Sequence, residues 1–105
     1  MRWLEPWRRI RAVGIAAAAL YESELKRELS PGHPLFGVPA AALGKRNDSD
    51  DVLFELRDGT GRVAVVHLTF CNHPEPPPWP QTTMFTSLEV WAEEQMKTDH
   101  EALRA

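Results

Sequence analysis

The chain is poor in the features that most readily betray a function. It holds one cysteine, Cys71, among 105 residues. No intramolecular disulfide can therefore form, which departs from small bridged secreted scaffolds and fits a reducing, cytoplasmic setting. No apolar run reaches the ~18 residues of a membrane span. The nearest candidate, Ala12 to Leu20 behind Arg2, Arg8, Arg9 and Arg11, is mostly alanine and reads better as a helix than as an export signal. Neither charge is in large excess: the net charge is -3, unlike the basic surface of a nucleic-acid-binding domain. The arginine cluster sits at a helix start, where cations oppose the helix dipole. Neither nucleic acid nor membrane is expected as a partner. The glycines build no phosphate loop, because Asp58-Gly59-Thr60-Gly61 joins two strands and opens no helix. A strained Gly-x-Ser-x-Gly elbow and internal repeats are also absent, and no cofactor is implied.

What is present suits a single small domain over residues 1–105. Hydrophobic residues make up 43% and charged residues 26%, ordinary values for a globular chain. The charge is uneven: residues 1–30 carry six Lys/Arg and four acids, residues 71–105 two and six, which reads as solvated helix faces of opposite bias. From Pro6 to Leu29, Ile10, Val13, Ala17, Leu20, Tyr21, Leu25 and Leu29 recur at helical spacing, and Pro31-Gly32 stops the pattern. Val38 to Lys45 mixes alanines with Pro39 and Gly44 and reads as a weak or edge strand, a place where two copies of the chain could pair.

The clearest local signal is a hairpin of Val52–Arg57, the turn Asp58–Gly61, and Arg62–Phe70. Pairing Asp58 with Gly61 sets Leu56 opposite Val63, Phe54 opposite Val65 and Val52 opposite His67. Residues 71–80 hold five prolines, which excludes both helix and central strand. Gln81 to Thr86 reads as a short strand. Ser87 caps a short amphipathic helix containing Leu88, Trp91, Gln95 and Met96, and Asp99 caps a final turn through Leu103. The expected fold is α+β: a small, mostly antiparallel sheet of three to four strands, packed against a long N-terminal and a shorter C-terminal helix. Both helices are expected on the face carrying Val52, Phe54, Leu56, Val63 and Val65.

Three sets of residues could carry function. In the register above His67 lies diagonal to Asp50, and a carboxylate orienting an imidazole is half of a nucleophile–base arrangement. No convincing nucleophile accompanies it, and a strand-end histidine satisfied by an acid is the simpler explanation. His67, Cys71 and His73 could ligate a metal, but a structural zinc site wants four ligands in recognisable pairs, and a lone cysteine more often packs as a small hydrophobe. The run Glu75–Pro80 is either a ligand for a partner's aromatic groove or a strap pinning Trp79 to the protein's own core. Four tryptophans is a generous number. Packed together they are core; exposed, they mark a binding surface. Trp79, Pro77, Pro78 and Trp91 are the binding candidates.

The block Asp50-Asp51-Val52-Leu53-Phe54-Glu55-Leu56 followed by Gly61-Arg62-Val63-Ala64-Val65-Val66-His67-Leu68-Thr69-Phe70 resembles a family of small uncharacterised bacterial proteins. That family shows an acidic pair before one strand, then Val-His-Leu-Thr-Trp, then a proline-containing loop ending in Trp-Pro. Trp79-Pro80, Phe85, Trp91 and Met96-Lys97 continue the likeness, which spans most of residues 35–100. Phe70 stands where the family has Trp, and Cys71-Asn72 where it has Ser-Gly. The resemblance implies a compact bacterial cytoplasmic protein and carries no activity. With no complete catalytic constellation in view, the leading expectation is a non-catalytic accessory protein that binds another protein. A small hydrolase-like enzyme using His67 with Asp50 is the alternative, and a metal-binding protein the third.

Overall fold

The computed structural model describes residues 1–10 and 14–104. Arg11 of the arginine cluster, and Ala12 and Val13 of the N-terminal apolar pattern, lie outside them. Five strands, β1 (Trp7–Arg9), β2 (Ala40–Arg46), β3 (Asp51–Leu56), β4 (Val63–His67) and β5 (Thr82–Phe85), form one antiparallel sheet in the order β1-β2-β3-β4-β5. Helix α1 (Ile15–Glu28) covers one face. The other is covered by α2 (Leu88–Trp91), a π-turn (Ala92–Met96) and α3 (Lys97–Arg104), which run on as one C-terminal helical stretch.

The α+β class holds, and four finer expectations are corrected. The sheet has five strands, because Trp7–Arg9 pairs with Gly44–Arg46 as β1 and does not join the N-terminal helix. That helix is correspondingly shorter, starting at Ile15 after Gly14. The segment expected at an edge, Val38 to Lys45, supplies β2, which lies between β1 and β3, with β1 paired to its Gly44–Arg46 end. Finally, the hairpin register is offset by one residue. The Asp58 carboxylate accepts from the Thr60 amide at 3.1 Å and hydroxyl at 2.6 Å, and it pairs with Arg62 at 3.0 Å. This shapes a longer turn closed by the Leu56 amide donating to the Arg62 carbonyl, so Val52 faces Val66 and Asp51 faces His67.

An offset of one residue moves every side chain of a strand to the opposite face. Val52, Phe54, Leu56, Ala64, Val66 and Leu68 therefore pack with Leu25, Leu29 and Leu35 beneath α1. Leu53 and Val63 pack with Trp7, Trp91 and Met96 beneath the C-terminal helix. The helices sit on opposite faces, and a strand that is apolar on both sides is the sequence trace of that arrangement. Trp91 and Met96 are five residues apart, and the π-turn, closing bonds from i to i+5, keeps both on the buried side.

Two local devices fit this frame. Leu43 is an extra residue in β2, where Ala42 pairs with Phe54 and Gly44 with Leu53, and ordinary alternation at this bulge puts Ala42 and Leu43 in different cores. Gly44 leaves room for an indole: a Cβ there would lie 2.5 Å from Trp3 Cζ3 and 3.3 Å from the Arg8 carbonyl oxygen. No helix of the described residues is long and apolar enough to cross a membrane.

Candidate functional site

The corrected register decides where His67 stands. It ends β4 directly opposite Asp51, the first residue of β3, and Nδ1 lies 2.7 Å from Asp51 Oδ1. The carboxylate–imidazole pair expected from sequence is thus formed, with Asp51 in place of Asp50. The Asp50 carbonyl instead accepts the Leu68 amide, and the Asp50 side chain is exposed. His67 is half open to solvent and borders a cleft of about 330 Å³ with Gln81, Thr83 and Gln95. Thr83 is the one hydroxyl of that lining. Ser49 is engaged elsewhere, accepting the Asp51 amide at 3.3 Å.

Beside this cleft Asp99 is a tie-point, accepting the Trp7 indole N–H at 2.8 Å and the Gln95 amide at 2.9 Å, with Arg46 Nη1 at 3.2 Å. These bonds join β1, β2 and the C-terminal helix. Asp99 therefore anchors the helix to the sheet, where the sequence suggested only a cap.

The proposed metal ligands do not converge. His67 pairs with Asp51, His73 Nδ1 contacts the Pro74 carbonyl at 3.0 Å, and the Cys71 thiol donates to the His73 carbonyl at 3.1 Å. Among the described residues, Cys71 instead sits with Glu24 and Glu28, their side-chain ligand atoms all within 4.8 Å of one another. Those carboxylates already have partners. Glu28, fully buried, accepts the Thr69 amide at 3.0 Å and the Phe70 amide at 2.9 Å. Glu24, 4% exposed, accepts the Asn72 amide at 3.2 Å. Phe70 and Asn72 have φ of 55° and 63°, the left-handed region that side chains usually avoid, and this backbone turns its N–H groups toward the two acids. Burial, the adjoining Glu24 and its hydrogen bond push the Glu28 carboxyl up to about 7 against the pull of the Thr69 and Phe70 amides.

This acid pair fixes one end of a strap running from Thr69 to Gln81. The Glu75 amide donates to the Glu28 carbonyl at 2.9 Å, the Ser30 hydroxyl to the Glu75 carbonyl at 2.6 Å, and the Thr69 hydroxyl to the Glu75 carboxylate at 2.9 Å. The far end is fixed by His33, which is buried. Its Nδ1 accepts the Leu35 amide at 3.0 Å, so Nε2 carries the proton and donates to the Pro80 carbonyl at 3.0 Å. Neither the glutamates nor His33 reads from sequence as an anchor of the strap, His33 offering itself only as a distant fourth metal ligand. An acid on a helix normally reads as solvated, and the signal available was that Glu24 and Glu28 lie one turn apart beside Tyr21 and Leu25.

The tryptophans divide sharply. Trp3, Trp7 and Trp91 form one core cluster, with Trp7 edge-on to Trp91 at 5.1 Å and Trp3 at 5.7 Å. Trp91 is fully buried, so it serves packing and cannot be a surface contact. Trp79 stays 42% exposed on the strap beside exposed Pro77 and Pro78, and Phe70, 40% exposed, packs on Tyr21 at the other end. A second concavity, an apolar groove of about 710 Å³, lies between α1 and residues 36–40.

The chain is thus an antiparallel five-stranded meander with a helical layer on each face and a proline strap locked across one end. No protein-family model, curated protein or solved structure matches it.

Proposed function

We propose that the chain is a non-catalytic protein-binding module whose contact surface is the proline strap, with Trp79 as anchor and Pro77 and Pro78 beside it. The observation that carries this reading is the exposure of Trp79 on a segment hydrogen-bonded at both ends. Leaving an indole in water costs stability, and an exposed, pre-ordered aromatic loses little entropy on binding. A lone, unbridged cysteine supports a cytoplasmic setting. The test is Trp79→Ala, which should abolish retention of a partner at a cost of about 2 kcal/mol of stability, since over half of this residue is covered and the rest is in water. A much larger loss, read from the melting temperature, would make Trp79 a core residue and end the proposal.

One observation favours a second reading, an enzyme using His67. The Asp51–His67 pair is close, open to a cleft, and correctly arranged for a carboxylate-oriented general base. With no serine or cysteine in the lining, such a base would act on water or on a substrate hydroxyl. His67→Ala should then abolish turnover of a hydrolysable substrate and leave folding intact; unchanged turnover, or an unfolded variant, contradicts it.

A further inference from the structure

The partly exposed strap is held by two carboxyl groups that have almost no water. Glu24 and Glu28 stand on successive turns of α1, both buried, and each grips backbone amides of the same loop. The remaining charged or titratable groups on the adjoining elements are few. On α1, Arg27 reaches Glu24 Oε1 at 3.6 Å from an exposed position, and Tyr21 packs edge-on against Phe70. On the strap stand Glu75, tied to Thr69, with His73 near it, and the Cys71 thiol beside the acid pair. No cation lies buried beside Glu28 among the described residues, so two negative charges here would face each other across low-dielectric protein.

We infer that Glu24 and Glu28 hold a single proton between them, lodged on Glu28, and that this carboxyl pair is a pH-dependent latch on residues 69–75. With the proton in place, Glu28 donates to Glu24 and still accepts from the Thr69 and Phe70 amides, and the strap is locked. Loss of the proton sets two carboxylates against each other, and the least costly relief is to swing one into water, releasing the amides of Thr69, Phe70 and Asn72. Phe70 and Asn72, no longer drawn to the acids, then have no reason to keep their left-handed conformation. The latch stands on the acid-pair geometry alone. Its consequence for function, that the Trp79 surface is displayed in fixed form at low pH and loosens as pH rises, rests on the binding role proposed above.

The experiment is residue-resolved amide hydrogen exchange on the isolated chain, read as protection relative to the intrinsic rate at each pH. A Glu28 carboxyl near 7 in the closed state and at the ordinary 4.5 when released makes opening about 30-fold more favourable at pH 8.5 than at pH 5.5. Protection of the Thr69, Phe70 and Asn72 amides should fall by that factor in the native protein. In Glu28→Gln, whose amide imitates the protonated acid, it should stay level. Cys71→Ser should behave as the native protein, which excludes the thiol as the titrating group. Equal protection at both pH values in the native chain, or the same fall in Glu28→Gln, would overturn the latch. Should Glu28→Gln fail to fold, direct carbon NMR titration of the native Glu28 carboxyl decides: a midpoint near 7 supports the latch, and one in the ordinary carboxylate range refutes it. Trp79→Ala should keep the same exchange profile, so failure of the binding role and failure of the latch are read separately.

Discussion

Single residues here do work that their type alone would not announce. Gly44 is required for space, since Trp3 occupies the place of its side chain and the Arg8 backbone closes the remaining gap. Gly44→Ala should destabilise the protein by roughly 1–3 kcal/mol, the ordinary cost of overpacking a tight site, with Trp3 displaced from Trp91; denaturant unfolding with tryptophan fluorescence would show both. Asp51 and Asp50 are neighbours with different fates, one bonded to His67 and the other exposed. Asp51→Asn should therefore change the His67 Nδ1 chemical shift and Asp50→Asn leave it in place. Equal effects would mean the strands pair in the other register. From sequence, a carboxylate–histidine pair was legible because an acidic pair and a histidine lie at the open end of one hairpin. Which of the two acids takes part depended on a turn one residue longer than its Asp-Gly-Thr-Gly motif suggested.

At the scale of elements, legibility followed local pattern. The β3–β4 hairpin, the strand at 82–85 and the Ser87-capped helix carry their signals within a few residues, and each is present. β1 was hidden because Trp7–Arg9 sits inside an apolar stripe of helical spacing, and its pairing with Gly44–Arg46 is a long-range choice that nothing local encodes. The placement of helices on opposite faces was lost with the register. In α1 the sequence pattern favoured Leu20 as a core position, yet Leu20 is 54% exposed while Glu24 and Glu28 are buried. Position along a helix predicts a face, but it does not foresee that a neighbouring loop will offer backbone N–H groups as ligands for an acid. The strap's far end depends on His33, so His33→Ala should leave the sheet intact and raise amide exchange at Thr82 and around Trp79. Unchanged exchange there would show that the glutamate end alone holds the strap.

For the whole molecule, the buried acid pair sets a sign for stability against pH. Glu28 has its carboxyl raised in the fold from 4.5 to about 7. The stabilisation linked to its proton is complete below the unfolded value, fades as pH climbs, and is gone above the folded value. Glu28 should thus make the chain less stable at pH 8 than at pH 5 by up to ~3 kcal/mol, and Glu28→Gln should remove that difference. Urea unfolding at the two pH values checks this, and a native protein more stable at pH 8 by an increment absent from Glu28→Gln would reverse the assignment.

Around that pair the molecule consists of two small cores on either side of one sheet, three tryptophans committed to packing, and a fourth left partly in water on a fastened loop. The central claim is that this last indole marks a binding surface. The most direct test places an aromatic photo-crosslinking amino acid, which keeps a ring in the place of the Trp79 indole, at position 79 in living cells, with the same substitution at the exposed Leu103 as reference. The account predicts a discrete adduct of higher mass from position 79 and none from 103. No adduct at 79, or the same pattern from both positions, would contradict it.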